Sequence, residues 1–265
     1  MKEQAKGLAR IILSALWGNS FSIISGPLKG RRLPKAVVLH NYQMLCGRYE
    51  PEVVSTLLSL LNPSTVAYDV GANIGYLTLA LAEGIDHGKI FAFEPVPENQ
   101  VLLQELIAAN NLGTKVRVVP VALSNLECRQ KMYIYHSPAT SLLESALDGQ
   151  NIIDQQAIII ATTTLDAFVF EKQNQAPHIL KIDVEGAEFL VLEGGLRTLK
   201  EFSPKIIIEI HGPENAQKIW SLLKDSPYSW WHLTLQERKS VPSEEKLLSF
   251  FSAVSWTQHF LLLQP

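Results

Sequence analysis

The feature that most constrains the fold is a regular alternation of short apolar runs with amphipathic helical segments. Strands and helices are predicted in turn at 65–70, 74–83, 90–94, 99–110, 116–121, 179–184, 187–200 and 205–210. Apolar strands that alternate with helices form a mainly parallel sheet with helices packed on both faces. The chain is therefore predicted to adopt an α/β fold.

The remaining segments are less regular. Residues 131–135 alternate like an edge strand. Residues 137–153 contain Ser, Gly and Asn, which predicts an exposed loop with a short helix that acts as a lid or selects a substrate. The segment Thr164-Leu165-Asp166 resembles a cap for a helix that runs through Phe170. Two runs near the end, 229–235 and 255–263, are predicted to pair antiparallel at a sheet edge.

Composition excludes several classes of protein. The chain has 265 residues, 15 glycines and 14 prolines, which is too little Gly and Pro for a low-complexity or collagen-like chain. The formal net charge of −3 provides no basic field for a phosphate backbone, so nucleic acid is not an expected partner. Cys46 and Cys128 form no zinc or disulfide pattern, and we expect both to be reduced and buried.

The N-terminal segment bears on localisation. Residues 8–17 are apolar, but the run is too short to span a bilayer and no cleavage site of the signal-peptide type follows it. We therefore expect an amphipathic N-terminal helix, no stable membrane insertion and a cytoplasmic protein.

The strongest local motif is DVGANIG at residues 69–75, between a strand and a helix. The helix start offers unpaired N–H groups to a carboxylate or phosphate, and Gly71 and Gly75 allow the backbone to turn and approach a ligand. Asp69, at the strand end, is predicted to accept hydrogen bonds from a ligand ammonium, directly or through water. The G-x-x-x-G spacing differs from the G-x-G-x-x-G of dinucleotide sites, and a tight turn without a ligand is the alternative.

Glu94 ends the next strand, 23 residues after Gly71. An acidic residue about 20 residues beyond the first glycine binds ribose hydroxyls in dinucleotide folds. A solvated strand-end acid is the simpler interpretation of Glu94 alone, but its combination with Asp69 and the glycines predicts a nucleoside site.

A second chemical cluster is predicted at the ends of two later strands. Asp183 lies near the end of one strand, and Glu209 and His211 end the next, two residues apart and therefore on one face. Beyond such strand ends, open α/β sheets bind their ligands. We expect Asp183 to orient an acceptor hydroxyl and His211 to act as general base, with Glu209 in the same cluster. Glu188 is expected only to complement a helix N-terminus. Coordination of Mg²⁺ by Asp183 and Glu209 is possible but not favoured.

Other aromatic and histidine residues are interpreted as structural. Trp220, Trp230, Trp231 and Trp256 concentrate in the C-terminal third, where packing is the ordinary role and stacking on a sugar the alternative. The remaining histidines, at 40, 87, 136, 178, 232 and 259, show no metal-ligand spacing.

Several of these motifs occur together and in a specific order. VAYDVGANIGYLTLALAEG, FAFEPVPEN, VRVVPVALSN, TTTLDAF, LKIDVEGAEFLVLEGG and KIIIEIHG follow one another between residues 48 and 212. In this order they resemble the FkbM family of S-adenosylmethionine-dependent O-methyltransferases.

That resemblance implies a set of cofactor contacts. The methionine end of S-adenosyl-L-methionine would be held by Asp69, Gly71, Asn73 and Gly75, the ribose by Glu94, and the adenine by the backbone around Ala122. Tyr49 and Glu50, in a segment similar to the one that precedes the family's first strand, would be further contacts.

The resemblance also implies a class I methyltransferase fold, Rossmann-like, with a seven-stranded mainly parallel sheet. We expect an N-terminal helix and hairpin extension over 1–47 and the methyltransferase domain over 48–265. The expected reaction is methylation of a hydroxyl on a sugar, glycan or secondary metabolite. A nucleotide-dependent oxidoreductase and a non-catalytic S-adenosylmethionine-binding module are the alternatives. An RNA methyltransferase is a third alternative, which the net charge disfavours.

Overall fold

A computed structural model describes residues 19–135, 140–143, 146, 156–235, 237–252 and 256–264. The helix predicted within residues 8–17 and most of the loop predicted at 137–153 lie outside this part of the chain.

The elements follow the predicted alternation. The helices are α1 (Lys35–His40), α2 (Tyr42–Leu45), α3 (Pro51–Leu60), α4 (Tyr76–Gly84), α5 (Pro97–Ala109), α6 (Glu188–Glu193), α7 (Leu196–Phe202), α8 (Pro213–Leu223) and α9 (Glu244–Leu248), with a π-helix at Ala167–Glu171. The strands are β1 (Ser20–Ser22), β2 (Arg32–Pro34), β3 (Val66–Val70), β4 (Lys89–Phe93), β5 (Val116–Val119), β6 (Ala122–Leu123), β7 (Cys128–Tyr135), β8 (Thr140–Leu143), β9 (Gln156–Thr163), β10 (Ile179–Ile182), β11 (Lys205–His211), β12 (Ser229–Leu233), β13 (Arg238–Ser240) and β14 (Thr257–Leu263).

The central sheet has the order β13-β12-β14-β11-β10-β3-β4-β5. Strands β11, β10, β3, β4 and β5 are parallel, and β14 lies antiparallel between β11 and β12, which confirms the predicted edge pairing. The described sheet has eight strands instead of the predicted seven, because the three-residue β13 adds an antiparallel edge beside β12.

Both faces of this sheet are covered. Along β3, Ala67 packs into a core with Leu57, Leu79 and Leu103 from the helices on one face. Its neighbour Tyr68 packs into a separate core on the other face, with Phe168, Leu192 and Ile219 among its members. Successive strand residues point to opposite faces, so a strand buried on both sides, as β3 is, is stable only between two helical layers. The strand ends are then the places where polar groups reach solvent.

A second sheet of order β6-β9-β7-β8 stands beside the central one. The predicted edge strand at 131–135 is part of β7, which lies between β8 and β9 and pairs antiparallel with both. The described residues 140–143 of the predicted loop form β8. The loop prediction is therefore wrong for these four residues, because they complete a hairpin with β7.

The N-terminal hairpin of β1 and β2 packs onto the same core as α3 and α4, through Ile23, Leu28 and Leu33. The boundary at residue 47 remains a prediction. In the described part of the chain, no helix is both long and apolar enough to cross a membrane. The predicted burial of the two free cysteines is wrong: Cys128 is exposed at the start of β7, and Cys46 is half-buried in the turn after α2.

Candidate active site

The loop after β3 is built on left-handed backbone conformations. Gly71, Asn73 and Gly75 have φ of 77°, 51° and 94°. A Cβ on Gly71 would lie 1.8 Å from the carbonyl oxygen of Asp183, so only glycine fits there. The N–H groups of Gly71 and Ala72 both donate to the carbonyl of Phe93, at 3.1 and 2.9 Å. These bonds fix the loop against the end of β4.

Glu94 follows β4 and is almost fully buried. Its Oε2 accepts the N–H of Asn73 at 2.8 Å, and its Oε1 accepts the N–H of Val96 at 2.9 Å and the amide of Asn99 at 3.3 Å. Burial raises the pKa of Glu94 to about 7 against the opposing effect of these hydrogen bonds. Glu94 therefore links the glycine loop to α5 and titrates near neutral pH.

Two adjoining clefts open at this edge of the sheet. The first is lined by Val70, Gly71, Asn73, Phe93, Glu94, Pro95, Asn99, Ala122, Leu123, Met132, Leu143, Asp183, Val184 and Glu185. The second is lined by Met44, Tyr49, Glu50, Gly71, Ala72, Asn73, Ile74, Gly75, Tyr76, Leu77, Lys181 and Asp183. Gly71, Asn73 and Asp183 belong to both linings, so the clefts form one bent site.

The site presents polar groups that the protein itself leaves unpaired. The side-chain oxygen Oδ1 of Asn73 is buried and has no hydrogen-bond partner. The second cleft also reaches Tyr76 and Leu77, in the first turn of α4, where helix geometry leaves N–H groups without intrahelical partners. A mostly apolar first cleft beside a polar second cleft suits a ligand with an aromatic nucleoside half and a charged half.

Lys181 places a buried cation between the two strands that flank this site. Its ammonium donates to the carbonyl oxygen of Gly71 at 2.9 Å and lies 3.2 Å from Oδ1 of Asp69 and 3.6 Å from Oδ2 of Asp183. Burial alone would lower the pKa of Lys181, but the charges of Asp69 and Asp183 raise it above its usual value. Lys181 therefore stays protonated and holds the glycine loop against β10.

Asp69 has a less direct role than the sequence predicts. It is fully buried, its Oδ2 accepts the Thr78 hydroxyl at 2.5 Å, and its Oδ1 faces Lys181. Direct contact with a ligand ammonium is therefore not supported, because Asp69 is fully buried and lines neither of the two clefts, whereas contact through water stays a prediction.

His211 is held between two carboxylates. Its Nδ1 lies 3.0 Å from Oε1 of the fully buried Glu188, and its Nε2 lies 3.3 Å from Oε2 of Glu185. Burial alone would lower the pKa of His211, but Glu188, Asp183 and Glu185 raise it to about 10. An imidazolium with both N–H groups facing carboxylates has no free lone pair, so this arrangement does not favour His211 as general base.

Glu188 does more than complement the start of α6. Its Oε1 accepts the N–H groups of Val184 and Gly186 at 3.3 and 2.9 Å, and its Oε2 accepts the side-chain amide of Asn215. Glu188 thus fixes the loop that follows Asp183 as well as the His211 ring.

A second histidine–carboxylate group lies beside the first. Nε2 of His259, on β14, lies 3.3 Å from Oε2 of Glu209, its register partner on β11, and 3.9 Å from Oε2 of Glu50. Burial alone would raise the pKa of Glu209, but His259 and His211 lower it to about 2. Burial and the charge of Asp183 raise the pKa of Glu50 to about 7. Glu209 is therefore a fixed anion and a weak base.

Asp183 remains as the acid at the junction of the clefts. It is half-buried, and burial together with the charge of Glu209 raises its pKa, against the opposing charges of Lys181 and His211. A carboxylate in this position can orient a hydroxyl or accept its proton.

Among the described residues, two sets of side chains have the composition of a metal site: Glu50 with Glu209 and His259, and Asp183 with Glu185 and His211. In each set the candidate ligand atoms lie within 4.8 Å of one another. Ion pairs within each set account for this closeness without a metal.

The predicted residues thus converge on one edge of the sheet. Glu94, Ala122, Asn73, Gly71 and Gly75 line the clefts, and Glu209 and His211 lie on one face, with Oε1 and Nε2 4.0 Å apart. The sequence pattern assigns no role to Lys181 or His259. A charged residue inside the apolar run Ile179–Ile182 is the one feature that could have indicated a buried role for Lys181, and no local feature indicates a role for His259.

This strand order and this bent site at the strand ends fit an α/β methyltransferase. The profile of the "Methyltransferase FkbM domain" matches residues 69–232, more than half of the chain. The chain therefore belongs to the FkbM family of S-adenosylmethionine-dependent methyltransferases. This result overturns the oxidoreductase alternative and the alternative of a non-catalytic binding module.

Two curated relatives are similar over most of their length. The hexuronic acid methyltransferase AglP of Haloferax volcanii is 26% identical over 69% of this chain and 71% of its own. The methyltransferase sdnD of Sordaria araneosa is 25% identical over 63% of this chain and 74% of its own.

Solved structures also align with the chain. The methyltransferase FkbM from Methylobacillus flagellatus aligns with a TM-score of 0.48 and 18% identity, over 85% of this chain and 54% of that one. This chain therefore spans about half of that protein. An S-adenosylmethionine-dependent O-methyltransferase from Thermotoga maritima aligns with a TM-score of 0.45 and 12% identity, over 82% of this chain and 66% of that one.

Proposed function

We propose that this methyltransferase methylates a hydroxyl oxygen of a sugar, glycan or secondary metabolite, with Asp183 beside the acceptor. The observation that carries the proposal is the position of Asp183, which lines both clefts and adjoins the carboxylate–histidine cluster at the ends of β10 and β11. AglP, which is named for hexuronic acid methylation, supports a sugar as one acceptor class.

The two clefts suit the two halves of the cofactor. The first cleft would take the adenosine, with Glu94 toward the ribose and the backbone of Ala122 toward the adenine. The second would take the methionine half, near Tyr49, Glu50 and the first turn of α4. The unpaired oxygen of Asn73, whose side chain lines both clefts, supports this fit.

When bound, S-adenosylmethionine supplies a methyl group already activated by its sulfonium, which an acceptor oxygen receives by in-line displacement. The main work of the protein is then to align the acceptor oxygen and exclude water. Asp183 would accept the hydroxyl proton or hold the hydroxyl in position. Lys181 keeps Asp183 in place, and His211 supplies a fixed positive charge between Glu185 and Glu188.

The test is a methylation assay with S-adenosylmethionine and a panel of hydroxylated sugars and metabolites, read by a product mass increase of one methyl group. Binding of S-adenosylhomocysteine, measured by calorimetry and thermal shift, tests the cofactor site separately. Binding followed by methylation at oxygen supports the proposal. A product methylated at nitrogen or carbon would contradict it.

A further inference from the structure

The groups around Asp183 carry an excess of negative charge. Seven carboxylates form one cluster through ion pairs and close contacts: Glu50, Glu52, Asp69, Asp183, Glu185, Glu188 and Glu209. The cations in contact with them, among the residues described, are Lys181, His211 and His259. Even with both histidines protonated, the acidic groups outnumber the basic groups by seven to three. Burial raises the pKa of Glu50 and Glu185 to about 7, so the excess of negative charge is greater above that pH. An acceptor that carried its own carboxylate would meet like charges in a half-buried site, where repulsion is poorly screened.

Glu185 is the most exposed carboxylate of this cluster. Its side chain is 35% exposed and lines the first cleft beside Asp183. Its one described ion-pair contact is with His211, whose other ring nitrogen faces Glu188. That imidazolium also faces Glu209 at 4.0 Å, so it is shared by three carboxylates. Burial raises the pKa of Glu185 to about 7, so above that pH Glu185 is an anion whose charge is only partly compensated.

An exposed tryptophan stands at the border of the same cluster. Gly212 directly follows His211, has φ of 85° and donates its N–H to the carbonyl of Trp256 at 3.0 Å. A Cβ on Gly212 would lie 2.7 Å from the indole of Trp256, so the ring rests against glycine backbone. Nevertheless 54% of Trp256 is exposed. An indole that is packed on one side and open on the other is a suitable surface for the apolar face of a sugar ring.

We infer that the acceptor is a sugar ring without an acid group, neutral or amino-bearing, which stacks on Trp256 and places its hydroxyl at Asp183. The inference rests on the proposed O-methylation and narrows its substrate. It also separates this chain from AglP, whose name specifies a hexuronic acid. Glu185 would be the specificity-determining residue against acidic sugars, and Trp256 the binding platform.

The experiment uses the full chain with S-adenosylmethionine and three methyl glycosides. One is a hexoside, and the other two, an aminohexoside and a hexuronide, each differ from that hexoside at one substituent. The gluco, galacto and manno series are each tested by methyl incorporation and by saturation-transfer NMR. In at least one series we expect kcat/KM for the neutral or amino sugar to exceed that for the hexuronide by about tenfold or more. A hexuronide equal to or better than its neutral counterpart overturns the inference.

Two variants test the named residues. Glu185→Gln should raise kcat/KM for the hexuronide relative to the neutral sugar by about tenfold, because the repelling charge is removed. Trp256→Ala should raise the acceptor KM by about tenfold and leave the affinity for S-adenosylhomocysteine unchanged, and Trp256→Phe should restore part of the loss. Phe202→Ala, at another exposed aromatic residue, is the matched control and should change neither. An unchanged acceptor KM in Trp256→Ala would overturn the assignment of Trp256 as the surface on which the sugar stacks.

The two proposals fail in different ways. If S-adenosylhomocysteine does not bind, or methylation occurs at an atom other than oxygen, the proposed function fails. If S-adenosylhomocysteine binds but no sugar in the panel is methylated or gives a saturation-transfer signal, the sugar inference fails while the cofactor site stands.

Discussion

Lys181 and Asp69 are register partners on the parallel strands β10 and β3, and their charged atoms lie 3.2 Å apart with almost no exposure to solvent. The same ammonium donates to the carbonyl of Gly71. One buried cation therefore connects the strand that carries Asp183 to the loop that lines both clefts. Loss of this cation would disturb stability and cofactor binding together.

Replacement of Lys181 by methionine should lower the free energy of unfolding by about 3–5 kcal/mol, because Asp69 would be left as an uncompensated buried charge. Urea denaturation measures the change. The double variant Lys181→Met/Asp69→Asn should recover part of the loss. The control is Lys172→Met, which breaks the exposed ion pair with Glu127 and should cost less than about 1 kcal/mol. A similar loss in Lys181→Met and Lys172→Met would rule out the assigned role.

Gly71→Ala should abolish binding of S-adenosylhomocysteine. The added Cβ would lie 1.8 Å from a backbone oxygen of Asp183, and the residue would be held at φ of 77°, so the loop must move. Gly113→Ala is the matched control, since an added Cβ there has no atom within 4 Å. Calorimetry on both variants, with circular dichroism to establish folding, measures the effect. Normal affinity in a folded Gly71→Ala protein would contradict the assignment of this loop.

Glu94 should make cofactor binding depend on pH. The pKa of this carboxyl is raised to about 7 by burial, and a ribose hydroxyl donates better to the ionised form. Below pH 7 the proton must leave before that bond forms, so affinity should rise with pH. The affinity for S-adenosylhomocysteine should be about tenfold weaker at pH 6 than at pH 8.

The variants Glu94→Gln and Glu94→Ala separate the charge from the contact. Glu94→Gln should lose this pH dependence, whereas Glu185→Gln should retain it. Glu94→Ala should weaken binding at pH 8 by about 1.5–3 kcal/mol, the range for hydrogen bonds to a charged group. A pH dependence that persists in Glu94→Gln would assign the titration to another group.

The sequence predicts the positions of Glu94, Asp183, Glu209 and His211 because the carboxyl ends of parallel strands meet at one edge of a sheet. It does not predict His259 at this site, since that contact depends on the antiparallel register that places His259 opposite Glu209, fifty residues along the chain. The sequence also does not predict that His211 is protonated, because its protonation depends on the burial of Glu188 and on the course of the loop around Glu185.

The second sheet was missed for a different reason. Strands β6 and β8 have only two and four residues, too few for a period of two to be read from them. β6 forms by pairing with β9, and β8 forms by pairing with β7. Such pairing between distant segments produces no pattern in the local sequence. Leu143, which β8 brings to the first cleft opposite Met132 of β7, is therefore absent from the predicted site.

Kinetics of two variants should decide which side chain accepts the acceptor proton. His211 is held as an imidazolium with a pKa of about 10, so its loss removes a positive charge near Asp183 but no base. In His211→Gln the pKa of Asp183 should rise, because a charge that favours its ionised form is gone. The acidic limb of the kcat profile should therefore move to higher pH, and the plateau should fall less than about 10²-fold.

Asp183→Asn should instead lose about 10²–10⁴-fold in kcat, the range expected when a general base is removed, and should have no acidic limb. Binding of S-adenosylhomocysteine by both variants is the control that the cofactor site is intact. If His211→Gln abolishes the acidic limb and costs more than about 10²-fold, while Asp183→Asn keeps the limb, then His211 is the base and the imidazolium assignment is wrong.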